Sequence, residues 1–402
     1  MLPSYRSLLI LFSILALLLG ACSYLPRLQA TNADLSTTPP IPPGKSQAVP
    51  TSSPASKSFP TPAFVEVSND PLTDKLDQYL RLRHPLFSGV VLVARDDRIL
   101  LNRGYKYANW ELEEPNTPAT KYRLASLTKP FTSLAIMMLQ ERGLLDVQDP
   151  ICKYLPDCPK EWEPITIHHL LTHTSGIPDY TSFQGASEDA RDPHSAADLI
   201  DSFKGMSLEF APGEKFEYSN SGFILLGVII ELVSKMTYQE FIFENISYPL
   251  GLESTGLDYN KRVLKERASG YSIEGKTFIN APFLDMSNTY AAGGLFSSDE
   301  DLFRLNQALI GNQLVSAKTR EAMFTPYVFA DNFGTDYGYG WQVGERHGHR
   351  WAGHEGGLFG FHNFMIFYPE DKAAIVILSN IDTLDVVAIA QGLEEIIFPT
   401  NP

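Results

Sequence analysis

The chain has 402 residues, 44% of them hydrophobic and 20% charged, the balance of an ordinary globular protein. Its formal net charge of -15 speaks against a nucleic-acid partner, because phosphate binding needs clustered Lys and Arg, and no basic stripe appears. The first twenty-two residues run from Arg6 through the apolar stretch Leu8 to Leu19 into Leu19-Gly20-Ala21-Cys22. That order reads as a secretory signal, since the apolar run is short of the roughly 20 residues of a membrane span. A small residue before a cysteine resembles the bacterial lipoprotein processing site, with Cys22 as the lipidated first residue of the mature chain. An ordinary signal cleaved elsewhere, or an uncleaved anchor, is the alternative. Either way the remainder is exported, and a lipid anchor would hold it to a membrane on the extracytoplasmic side of the cell envelope.

Residues 23–64 are dense in Pro, Ser and Thr, as in Thr38-Pro39-Pro40-Ile41-Pro42-Pro43. Such a segment buries too little surface to offset its ordering entropy, so it is expected to act as a semi-rigid stalk. Residues 65–402 are long enough for a large core, as one compound domain or two lobes. Within them, Asp70 before Pro71 announces a capped helix. Ser88 to Ala94 and Ile99 to Asn102 flank a polar turn at Asp96-Asp97 and predict a hairpin. Cys152 and Cys158 close a loop short enough for a disulfide in an oxidising compartment, two unpaired thiols being the alternative. From about Lys129 to Gln307 helical periodicity alternates with Gly- and Pro-punctuated loops. Asn363 to Tyr368 and Ala374 to Leu378 predict a second hairpin, followed by a helix from about Leu384 to Ile397. The expected fold is α/β of the α+β type. An antiparallel sheet built from both termini is flanked by helices and carries an inserted all-helical lobe, with the cleft between lobes as the expected site.

Three stretches carry chemistry. In Ser126-Leu127-Thr128-Lys129, Pro130 fits only in a first helical turn, so the helix begins near Ser126. Residues three apart share a face, bringing the Lys129 amine to the Ser126 hydroxyl. A serine needs a neighbour to take its proton, and a buried lysine can do so once its pKa falls from about 10.4 toward neutrality. In Tyr218-Ser219-Asn220, at the start of another helix, Tyr218 and Asn220 flank Ser219 so that both can face one cleft. A phenol near an ammonium can be partly ionised and relay a proton, and a carboxamide can bind a substrate amide. The third stretch is Gly353-His354-Glu355-Gly356-Gly357. It is a candidate edge strand whose glycines allow close approach of a substrate backbone.

Ser-x-x-Lys, Tyr-x-Asn and His-x-Gly in that order resemble the serine beta-lactamase and penicillin-binding-protein superfamily, whose related class A signatures leave the base disputed. The tyrosine makes the chain more similar to class C beta-lactamases, D-alanyl-D-alanine carboxypeptidases and related esterases. Leu170 to Ile177, Pro212 to Gly222 and Ala292 to Ser297 extend the likeness from about Leu72 to Leu378. The resemblance implies Ser126 as nucleophile, Lys129 and Tyr218 as proton-transfer groups, and Asn220, His354 and Gly356 as substrate contacts. The backbone N-H groups of Ser126 and Gly357 would form an oxyanion hole. It also implies the beta-lactamase/transpeptidase-like fold and a small peptide, beta-lactam or ester substrate. Where beta-lactamases usually have Lys-Thr-Gly, this chain has His354-Glu355-Gly356, which predicts a weaker hold on a substrate carboxylate, and one that strengthens as the imidazole protonates near pH 6.5. A penicillin-binding sensor or scaffold that acylates without turnover is the rival reading. His168, His169 and His173 read as structural. His347-Gly348-His349 lacks a third ligand besides His354, and no phosphate-binding Gly-rich loop is present, so neither metal nor cofactor is expected.

Overall fold

The structure is a computed structural model and describes residues 70–399, apart from Asp97, Gln184, 329–335 and His347. The signal and lipidation site at Cys22, the stalk at 23–64, half of the Asp96-Asp97 turn and His347 therefore lie outside the described residues.

The first helix, α1 (Pro71–Arg83), starts as its sequence dictates. The Asp70 carboxylate accepts from the Leu72 N-H, and Pro71 takes a position where its missing N-H costs nothing. The hairpin follows as β1 (Gly89–Arg95) and β2 (Arg98–Tyr105). The chain then crosses into the inserted region and returns as β3 (Asp336–Tyr337), β4 (Gln342–Arg346), β5 (His349–Leu358), β6 (Phe361–Tyr368) and β7 (Ala373–Ser379). These seven strands form one antiparallel sheet in the order β3-β4-β5-β6-β7-β1-β2. The termini meet where Gly89 pairs with Ser379 and Ala94 with Ala374.

Both faces of this sheet are buried, which is why its central strands read as unbroken apolar runs and not as alternations. Val91, Val93, Ile375 and Ile377 face a core completed by α1 and by the last helix, Val386–Ile397. Their neighbours Val90, Leu92, Val376 and Leu378 face the larger core of the helical region. At its centre lies α2 (Thr128–Glu141), in which every residue from Thr128 to Leu139 is buried. A helix apolar all round belongs inside a large domain. Beside it packs α3 (Asn220–Ser234), where Gly227 leaves no room for a Cβ, which would lie 2.5 Å from the Ala291 Cβ and from the Tyr290 ring.

The insertion is mostly helical, but not wholly. Tyr122–Arg123, Leu295–Ser297 and Gly256–Leu257 make a small three-stranded sheet, and Tyr271–Glu274 pairs with Thr277–Asn280 across a turn with Gly275 at φ +62°. Strands of two to four residues are too short to give a periodic signal. Cys152 and Cys158 form a disulfide, with Cα atoms 5.3 Å apart. No single helix among the described residues is long and apolar enough to cross a membrane.

Candidate active site

Ser126 sits in a 3-10 turn (Ala125–Leu127) that runs directly into α2. The residue before it, Ala125, is held at φ +51°, a left-handed conformation that a residue with a Cβ adopts only when its surroundings impose it. One turn on, the Lys129 amine lies 3.0 Å from the Ser126 hydroxyl, 2.8 Å from Asn220 Oδ1 and 2.9 Å from the Ala292 carbonyl. Lys129 is fully buried. Burial pushes its pKa from 10.5 down to about 7, against the opposing pull of the Asp179 charge. An amine neutral at physiological pH, in contact with a serine hydroxyl, is equipped to take its proton.

Tyr218 approaches the same site, and the nearby Ser126 hydroxyl favours its ionised form. Its ring centroid lies 4.7 Å from Lys129 Nζ. Its pKa is driven up, chiefly by desolvation, so the phenol is a neutral hydrogen-bonding group and not the partly ionised one expected from its nearness to an ammonium. Here burial outweighs a lysine that is itself nearly neutral. Asn220 opens α3 and bridges the site. Its Oδ1 accepts from Lys129, while Nδ2 donates to Asp179 Oδ2 at 3.1 Å and to Thr181 Oγ1 at 3.2 Å. Asp179 is the residue sequence reasoning missed. Only a Pro-Asp pair opening a turn marks it, and its link to Asn220 spans 41 positions.

The third motif holds two surprises. Pairing of β4 with β5 stops at Gly353, so the strand is internal up to that residue and open on that side only from His354 onward. This strand packs against the turn that carries Ser126. A Cβ on Gly356 would lie 2.4 Å from the Leu124 carbonyl oxygen and 3.0 Å from the Leu127 nitrogen, so the side of Gly356 that a side chain would occupy packs on protein backbone. His354 does not face the cleft either. It is 2% exposed, with Nδ1 2.6 Å from the Glu355 carbonyl and Nε2 2.9 Å from the Tyr337 hydroxyl. Desolvation, helped by the Lys129 charge, lowers its pKa to about 3. The expected carboxylate contact that protonates near pH 6.5 is thus corrected: the ring is turned inward and neutral.

Ser126, Asn220 and Gly357 line one cleft of ≈ 860 Å³. Its described lining contains Asp189, Asp198 and Asp382, two histidines, and no Lys or Arg. One of those histidines, His362, faces Gly357 across the strand pair. Its Nε2 lies 2.6 Å from Glu355 Oε1 and its Nδ1 reaches the Leu384 carbonyl. Two acceptors require two ring protons, so His362 is an imidazolium whose charge Glu355 neutralises, and that pairing raises its pKa. Among the described residues no cluster of His, Cys, Asp and Glu could hold a metal ion. The geometry suits acyl transfer to a serine.

The chain is similar to known proteins. The family model described as Beta-lactamase matches residues 74–394. Penicillin-binding protein 4* of Bacillus subtilis (strain 168) is 35% identical over 331 residues, covering 78% of this chain and 72% of that protein. Among solved structures, the octameric penicillin-binding protein homologue from Pyrococcus abyssi is 30% identical with a TM-score of 0.72, covering 82% of this chain and 78% of that one. The penicillin binding protein from Bacillus halodurans is 28% identical with a TM-score of 0.70, covering 81% and 100%.

Proposed function

Since the chain belongs to the beta-lactamase family of serine hydrolases, we propose that it hydrolyses amide or ester bonds through an acyl-enzyme on Ser126. The single observation that carries this reading is the fully buried Lys129 amine, 3.0 Å from Ser126 Oγ, with a pKa near 7. Neutral Lys129 takes the hydroxyl proton as Oγ attacks the carbonyl carbon. Tyr218, whose ring centroid lies 4.7 Å from Lys129 Nζ, passes a proton to the departing amine or alcohol. The N-H groups of Ser126 and Gly357 receive the developing oxyanion, and water then releases the acyl group by the reverse proton route.

The cleft supports a narrower substrate class. With three aspartates, no described Lys or Arg and a histidine already neutralised by Glu355, it offers little to a free carboxylate. Small esters, amides and D-amino-acid peptides whose acyl donor lacks a terminal carboxylate fit better than D-alanyl-D-alanine termini. We further propose that the chain is held to the extracytoplasmic side of a membrane by lipid on Cys22, with residues 23–64 as the stalk.

Intact-mass analysis after incubation with a fluorescent penicillin, p-nitrophenyl esters, D-amino-acid amides and D-alanyl peptides tests the catalytic reading. Covalent mass on Ser126 followed by product release supports it, mass that is never released supports the sensor alternative, and labelling that survives Ser126→Ala overturns both. For the anchor, Cys22→Ser should abolish incorporation of a palmitate analogue, and equal incorporation in mutant and parent would refute it.

A further inference from the structure

Behind Tyr218 lies a chain of four hydrogen bonds that the acylation chemistry does not use. The Ser219 N-H lies 3.1 Å from His173 Nδ1, His173 Nε2 is 3.1 Å from the Tyr337 hydroxyl, that hydroxyl is 2.9 Å from His354 Nε2, and His354 Nδ1 is 2.6 Å from the Glu355 carbonyl. The two ends, together with the neutral His354 ring, fix every proton between them. An amide N-H can only donate, so His173 Nδ1 accepts and its Nε2 carries the hydrogen. A carbonyl can only accept, so His354 Nδ1 carries a hydrogen, and because burial keeps that ring neutral its Nε2 accepts. The Tyr337 oxygen therefore receives from His173 and donates to His354. With both imidazoles neutral, every donor meets an acceptor once.

We propose that His173, Tyr337 and His354 are positioning residues that fix Tyr218 against Ser126 and brace the helical wall of the cleft to the sheet. This deepens the proposed function and rests on it. Tyr218 is bracketed by His173: the N-H of Glu217, before it, donates to the His173 carbonyl at 2.9 Å, and the N-H of Ser219, after it, donates to the ring. The His173 ring also stacks on the Tyr218 ring, with centroids 4.2 Å apart and planes 29° apart. His173 itself is held at φ +56°, a conformation that persists in a residue with a Cβ only where surrounding contacts over-determine it. His173, Tyr337 and His354 are 1%, 3% and 2% exposed, so water cannot replace a lost link. His354 belongs to β5, the strand that carries Gly357, and the chain thus ties the tyrosine to the oxyanion side of the cleft.

A double-mutant cycle on the full chain tests this, with turnover of a neutral p-nitrophenyl ester as the readout. Tyr337→Phe removes one oxygen and keeps the ring. It should lower kcat about tenfold or more while KM changes less than about threefold. In a Tyr218→Phe background the same substitution should cost less than about twofold, because there is no longer a phenol to aim. An equal loss in both backgrounds, or no loss in the parent, would overturn the positioning role while leaving the Ser126 mechanism standing. Tyr218→Phe as fast as the parent would instead remove Tyr218 from the reaction, and this proposal with it. Should Tyr337→Phe fail to fold, His354→Gln serves in the same cycle, with the same two outcomes deciding it.

Discussion

Replacing Lys129 by methionine, a side chain of similar length without charge, should trade catalysis for stability in a way that depends on pH. Lys129 titrates at about 7 in the fold and near 10.5 in the unfolded chain. Below pH 7 both states are protonated, and the native state carries a buried ammonium whose cost, over that interval, is about 5 kcal/mol at about 1.4 kcal/mol per pK unit. Between 7 and 10.5 the unfolded chain binds one more proton than the folded one, so the stability of the parent rises with pH, and above 10.5 the cost is gone. Methionine removes this dependence. It also strips the donor from Asn220 Oδ1 and from the Ala292 carbonyl, a loss of about 1–3 kcal/mol each that does not vary with pH. The quantity to measure is the difference in unfolding free energy between Lys129→Met and parent, by urea denaturation from pH 6 to pH 9. Other titrating groups are common to both proteins and largely cancel. That difference should shift by about 2–3 kcal/mol in favour of the parent across the range. A difference constant to within about 0.5 kcal/mol would show that Lys129 keeps its proton throughout, which would refute its assignment as the base.

The same titration should appear in turnover: kcat/KM for a neutral ester should rise with pH to a half-maximum near 7, and a rate flat from pH 5.5 to 8.5 would contradict a lysine base. Ser126→Ala should lose all covalent labelling by penicillin or fluorophosphonate while its circular dichroism matches the parent. His354, neutral down to about pH 3, should contribute no titration between pH 5 and 8. The ratio of efficiencies for carboxylate-bearing and neutral substrates should therefore vary with pH identically in parent and His354→Asn, and a dependence that vanishes in the mutant would restore the imidazole as a reader of substrate charge. Cys152→Ser opens a loop with a sequence separation of 6 and should cost about 2 kcal/mol in urea denaturation, the entropy of so short a closure; an unchanged midpoint would mean that the bridge does not form.

What could be read from the sequence is what depends on neighbours along the chain. Ser126 and Lys129 are one helical turn apart, Pro130 places the helix start, and the disulfide closes a single short loop, so local geometry suffices. The sheet was legible because the apolar runs of Val90 to Ala94 and Ala374 to Leu378 each carry a turn and a partner strand beside them. Asp179 was not legible, because a carboxylate in a turn acquires its role only when the fold brings Asn220 to it. The inward rotation of His354 was hidden for a different reason. Strand alternation puts His354 and Gly356 on one face, but nothing in the sequence says that this face meets protein instead of substrate. The same holds for Tyr337, which finds His173 across 164 positions.

The close packing of Gly356 on the nucleophile turn separates two tasks within the cleft. Gly356 contributes no side chain between that strand and the turn, and Asn363 on the neighbouring strand ties the Arg123 carbonyl with a 2.9 Å hydrogen bond. The distance between the serine and the strand that supplies Gly357 is thereby set by main chain against main chain, and side-chain variation elsewhere in the cleft leaves it untouched. The wall that includes the exposed Asp189 and Ser202 takes no part in that contact. Residues there can be exchanged to admit a different acyl donor without re-aligning the attacking oxygen, which makes that wall the place to retarget the enzyme and the glycine strand the place to leave alone.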